Sequence, residues 1–102
     1  MVLLEFSIVP LGKGASVSPY VARCVDLIDR SGLDYRLHAM GTEVEGELAA
    51  VLKLLQECVE ELAQDCDRIS VSAKLDYRKG AAGRIAGKVV AVEQALHRKL
   101  RT

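Results

Sequence analysis

The chain contains no tryptophan and only four aromatic side chains, Phe6, Tyr20, Tyr35 and Tyr77, among 102 residues. A sheet that reads single-stranded RNA needs exposed rings on which bases stack, and Phe6 and Tyr77 both fall in the inward register of their strands. That function is disfavoured. Nor is there an excess of basic charge: 14 Lys and Arg balance 14 Asp and Glu, whereas a nucleic-acid binder carries a basic patch or stripe. No apolar run approaches the roughly 18 residues of a membrane helix, and no basic-then-apolar leader opens the chain. A cytoplasmic protein with neither a membrane nor a nucleic-acid partner is therefore expected. The three cysteines, Cys24, Cys58 and Cys66, are odd in number and lack Cys-x-x-Cys spacing, which argues against a disulfide framework and a zinc site alike. They read as reduced, small apolar fillers. His38 and His97 have no cysteine or carboxylate at ligand spacing, so no metal cofactor is implied. No nucleophile elbow is present either, and catalysis is not expected.

What is present is hydrophobicity. Half of the residues are apolar, enough for one domain over residues 1–102 with a core at the small end of the viable range. Association with further copies would enlarge that core. Residues 1–63 carry 5 basic and 10 acidic side chains and residues 64–102 carry 9 and 4, so the halves are −5 and +5. Such a pattern allows self-association through opposite patches or simple compensation within the fold.

β-Branched content and alternation predict a strand over Val2–Val9, with Leu4, Phe6 and Ile8 toward the core. Ser18-Pro19 predicts a helix start, the serine as N-cap and the proline at the first helical position. The stripe Val21, Cys24, Val25 and Ile28 carries this helix to about Arg30, where Ser31-Gly32 ends it. Tyr35–Met40 and Thr42–Gly46 read as a hairpin turned by Gly41 at positive φ. A long helix follows from Glu47 to about Cys66, its inward stripe being Leu48, Val51, Leu52, Leu55, Val59, Leu62 and Cys66. Arg68–Arg78 alternates as a half-buried strand with Ile69, Val71, Ala73, Leu75 and Tyr77 on its inner face. Lys79 to Gly83 breaks it, and a last helix runs from Arg84 to about Leu100 with Ile85, Val89, Val92 and Leu96 buried. The order β-α-β-β-α-β plus a terminal helix is the split βαβ pattern of an α+β, ferredoxin-like antiparallel sheet with both long helices on one face.

The other sheet face is then open, and Glu5, Ser7, Glu43, Glu45, Ser70, Ser72, Lys74 and Asp76 point toward it, with His38 beside them. Such a mixture is either a wet surface or one covered by a second subunit that leaves polar pockets between sheets. Glu43 and Glu45 are poor strand formers. They imply a cationic or hydrogen-bond-donating partner, or else serve, with Glu47, as negative charge before a helix N-terminus. Gly46 frees space for a ligand or another backbone to come close. Gly12-Lys-Gly-Ala-Ser16 before a helix resembles an anion cradle, but it matches neither the P-loop nor the dinucleotide fingerprint, so a connecting loop is favoured.

Pro10-Leu-Gly, Ser16-Val-Ser-Pro, Ser31-Gly-Leu-Asp-Tyr35, Met40-Gly-Thr-Glu-Val-Glu-Gly-Glu47, Lys74-Leu-Asp-Tyr-Arg78 and Lys88-Val-Val-Ala-Val92, in this order and spacing, resemble the small thiamine-binding protein family, long catalogued as uncharacterised. The resemblance covers nearly the whole chain. It implies a ferredoxin-like fold, non-catalytic binding of thiamine or its hydroxymethylpyrimidine moiety, and a homotetramer built as a dimer of dimers through sheet-to-sheet packing. Carried over by motif, Thr42 and Glu45 are the principal ligand contacts, with Ser16, Ser18, Lys74, Asp76 and Arg78 as neighbours and His38 as a further candidate on the open face. Of these, Glu45 is expected to carry most of the affinity. The alternative reading is a structural or regulatory oligomeric module whose polar sheet face meets another protein.

Overall fold

The computed structural model describes residues 1–80 and 82–102. Its centre is strand β1, Val2–Pro10, in which Val2, Leu4, Phe6 and Ile8 are buried. β1 is sandwiched in the plane of the sheet, with Leu4 opposite Val44 of β3 (Gly41–Gly46) on one side and Leu75 of β4 (Ile69–Tyr77) on the other. β2, Asp34–His38, pairs with β3. Every pairing is antiparallel and the strand order is β2-β3-β1-β4. With helices α1 (Ser18–Arg30), α2 (Leu48–Ala63) and α3 (Arg84–Leu96), this is a ferredoxin-like α+β fold.

Helix α1 starts one residue before its expected first residue. Val17 occupies the N-cap position without a side-chain cap, and its carbonyl accepts the N–H groups of Tyr20 and Val21 at 3.0 and 3.1 Å. Ser18 therefore lies inside the first turn and does not cap it. The C-terminal end follows expectation: the Ser31 hydroxyl donates to the Ile28 carbonyl at 2.5 Å, and Gly32 takes a φ of +77°.

The hairpin differs from its expected geometry. β2 ends at His38, Ala39 and Met40 form the turn, and Gly41 opens β3 opposite His38. Gly41 is not at positive φ. It is glycine because a Cβ there would lie 2.9 Å from the Phe6 carbonyl oxygen. At Gly46 the missing side chain is replaced by Leu33 and Val51, whose methyl carbons would lie 3.1 and 3.3 Å from a Cβ, so that space belongs to the core and not to a ligand.

The core lies between β1, β3, α1 and α2. The buried seam of α2 is Val51, Leu54, Cys58 and Leu62, while Leu48 and Leu52, expected inside, are exposed. The seam is turned toward α1: Cys24 and Cys58 face each other, each Sγ 3.8 Å from the other's carbonyl oxygen. All three cysteines are free and buried, as small hydrophobes are.

β4 is an edge strand, and the helices cover the inner strands more fully than this edge. Val71, Leu75 and Tyr77 keep the inward register but remain exposed, Tyr77 to 62%. Ala81, in the break after β4, lies outside the described residues. Gly83, at φ +66°, then starts α3 on the opposite face of the sheet. This helix ends at Leu96, short of the expected Leu100, because His97 adopts a left-handed conformation. Of the expected stripe only Ile85 is buried, whereas Val92 and Leu96 are exposed. Only the first turn of α3 is seated on the sheet.

Candidate ligand site

The register of β3 sends its residues alternately to the two faces. Thr42, opposite Phe6, faces the helices, while Glu45, opposite Leu3 and Asp34, faces away from them. The two principal residues of the sequence reading thus lie on opposite sides of the sheet, each beside a different cleft.

On the helix side, the first two turns of α1 stand away from the β2–β3 turn and leave a narrow cleft of about 160 Å³. Its walls are apolar: Val17, Val21 and Val25 from α1, Phe6 and Ile8 from β1, and Leu37 and Met40 from the hairpin. Thr42 lies at its base and is only 5% exposed. Its hydroxyl makes no side-chain hydrogen bond among the described residues, yet no unpartnered side-chain oxygen is sealed from solvent there, so this hydroxyl opens into the cleft. Outward the cleft continues into a shallow groove of about 750 Å³ that adds Ser18, Ala22, Asp26, Asp29 and Tyr35. The Tyr35 hydroxyl donates to Asp29 Oδ1 at 2.8 Å, and this bond, with some desolvation, raises the phenol above its usual range. Sites for small molecules span roughly 300–1,000 Å³. The inner cleft falls below that span, so a two-ring ligand must also occupy the groove.

On the other side, the Arg84 backbone N–H at the start of α3 donates to both Glu45 carboxylate oxygens, at 3.1 and 3.0 Å. Glu45 is 4% exposed. A carboxylate at a helix N-terminus meets unpaired N–H groups and the positive end of the dipole. The Arg84 guanidinium bonds the Asp76 carboxylate and, at 3.1 Å, the Asp76 carbonyl, and Lys88 Nζ reaches the same carboxylate at 3.2 Å. Arg84 first and Lys88 second hold the Asp76 carboxyl below the usual range. Next to them is an open cleft of about 610 Å³ lined by Leu3, Arg36, His38, Glu43, Arg84 and Lys88, with His38 Nε2 at 3.1 Å from Glu43 Oε1.

The remaining candidates are scattered. Ser16 is exposed in the loop before α1, Ser18 lines the outer groove, and Lys74 lies opposite Glu5 on the exposed edge strand. Arg78 follows β4, its N–H directed at the Met1 carbonyl at 3.5 Å. Sequence reasoning missed Asp26, Asp29 and Arg84. The two aspartates sit three residues apart along the border of the α1 stripe, and that spacing was a readable signal. Arg84 was not readable, because its role depends on where α3 lands.

The sequence profile of the family described as thiamine-binding protein matches residues 4–93. A UPF0045 protein of Methanocaldococcus jannaschii is 41% identical over 91 residues, covering 89% of this chain and 91% of the relative. One of Mycobacterium bovis is 37% identical over 98 residues, covering 95% and 96%. Among solved structures, that of the M. jannaschii protein superposes with a TM-score of 0.83 at 40% identity, covering 91% of this chain and 96% of that one. A Thermotoga maritima protein provisionally assigned to thiamine biosynthesis or salvage shares the fold, with a TM-score of 0.79 at 24% identity and coverage of 89% and 97%.

Proposed function

Because the chain belongs to the family of thiamine-binding proteins, we propose that it binds thiamine, or the hydroxymethylpyrimidine that forms half of it, without catalysing a reaction. In this proposal the pyrimidine enters the cleft between α1 and the β2–β3 turn, and the protein acts as a carrier, buffer or sensor. The observation that carries the reading is Thr42, itself 5% exposed, whose hydroxyl has no hydrogen-bond partner among the described residues and opens into an apolar cleft. Two segments that carry the family resemblance, Ser16–Pro19 and Met40–Thr42, contribute to its walls and outer groove through Val17, Ser18, Met40 and Thr42. A hydroxyl both donates and accepts, which suits an aminopyrimidine offering an amine beside a ring nitrogen. The Met40 thioether at the rim is soft and adaptable, and suited to the edge of a flat ring.

The open face gives the competing placement, with Glu45, Asp76, Lys74 and His38 as contacts, and the cleft of about 610 Å³ beneath α3, which His38 lines, supplies space for it. Calorimetric titration with thiamine and with hydroxymethylpyrimidine separates the two. The parent protein is expected to bind both, Thr42→Val to bind both about two- to tenfold more weakly, as loss of one neutral hydrogen bond implies, and Glu45→Gln to stay within about twofold of the parent. The reverse order would move the site to the open face. No heat and no thermal shift with either compound would favour the structural-module reading. We further propose that the working form is a homotetramer.

A further inference from the structure

Resting on the binding reading above, we infer that the cleft selects its ligand by charge: Asp26 and Asp29 at its mouth favour the unphosphorylated thiazolium cation and disfavour its phosphate esters. The residues that line the cleft and its outer groove include no lysine or arginine, and the only carboxylates among them are these two. They lie three residues apart on α1 and so project from one side of it. Asp29 accepts the Tyr35 hydroxyl at 2.8 Å, which fixes the ring beside it. Asp26 also meets Arg30 at 2.6 Å, but both side chains are more than half exposed, and such pairs are weak and readily exchanged.

Orientation comes from a separate observation. Thr42 is 5% exposed, unpartnered among the described residues and placed at the closed end. A ligand whose pyrimidine bonds this hydroxyl has its second ring outward, in the groove beside Asp26 and Asp29. The hydroxyethyl arm of thiamine, where phosphate is attached, is carried by that outer ring. A terminal phosphate brings a charge of about −1.5 to −2 at neutral pH, which more than cancels the thiazolium charge and meets two carboxylates. The open-face cleft differs, with Arg36, Arg84 and Lys88 on its walls beside Glu43, and Asp76 pairing with Arg84 and Lys88.

The test is calorimetry at low and high salt on the parent protein and on the Asp26→Asn/Asp29→Asn variant, with thiamine, thiamine monophosphate and hydroxymethylpyrimidine as probes and circular dichroism to confirm the fold. The parent is expected to prefer thiamine to its monophosphate by about tenfold, and the variant to lose about fivefold in thiamine affinity while holding hydroxymethylpyrimidine within about twofold, since each exposed charge contributes modestly. Added salt should weaken thiamine binding to the parent only. If thiamine and hydroxymethylpyrimidine both bind but the variant changes them equally or not at all, or if the parent prefers the monophosphate, the charge selection is wrong and the binding reading stands. If neither binds the parent, the binding reading falls and the selection with it.

Discussion

Thr42 places its hydroxyl on the open cleft, with no side-chain hydrogen bond among the described residues. Water in the cleft can satisfy that hydroxyl, so its removal costs the fold little, and valine fills nearly the same volume. Thr42→Val should therefore melt at about the same temperature as the parent while binding more weakly, as expected of a functional position. A structural threonine would show the reverse, a lower melting temperature with unchanged affinity. Strand parity groups Thr42 with Val44 and Gly46 and against Glu43 and Glu45, yet the motif resemblance joins Thr42 and Glu45 as contacts of one ligand, and the structure separates them. What was not legible is why Gly41 is glycine. A positive φ is a local property and can be guessed from a turn, but a 2.9 Å approach to the Phe6 carbonyl arises only once β1 and β3 are paired. By sequence, Glu45 is a ligand contact or a charge near the helix that follows it. Its carboxylate meets a helix N-terminus, but that of α3, 39 residues later.

At the level of elements, every strand and helix was foreseen in order, because each has either an alternating or a helical apolar pattern. The errors are in which faces are covered. The α2 seam turned because α1 shares it, and the β4 face stayed open because the helices lie over the inner strands. Helix α3 has the weakest claim to its place. It is held by Glu45 on its first N–H and by Asp76 on Arg84 and Lys88. The Asp76 carboxyl is depressed in the folded state, so its contribution is complete above the unfolded carboxylate range and is lost as pH falls through the folded value. Below about pH 4, hydrogen exchange over Ile85–Val89 should accelerate before the β1 amides do. At neutral pH, Glu45→Gln should speed the same segment by about two- to tenfold, as the loss of a charge at a helix N-terminus implies. Unchanged α3 exchange in both experiments would show that these contacts do not seat the helix.

As a whole, the molecule is extended for its size. Its radius of gyration is 15.0 Å, against about 13 Å for a compact chain of this length, and α3 beyond its first turn leaves Val90, Val92 and Leu96 exposed. Nine-residue β4 has a free outer edge and bare Val71, Leu75 and Tyr77. An exposed edge with an apolar face is a template for pairing with another chain. These features support the proposed homotetramer, for which light scattering at micromolar concentration should return about four times the 11.1 kDa chain mass. A value near one chain would remove it.

The placement of the ligand is tested most directly by a crystal structure of the protein soaked with thiamine. A pyrimidine ring is expected between α1 and the β2–β3 turn, with an amine or ring nitrogen in hydrogen-bond reach of Thr42 Oγ1 and the thiazolium outward beside Asp26 and Asp29. Ligand density on the opposite face of the sheet, against Glu45 and Arg84 beneath α3, would contradict this placement.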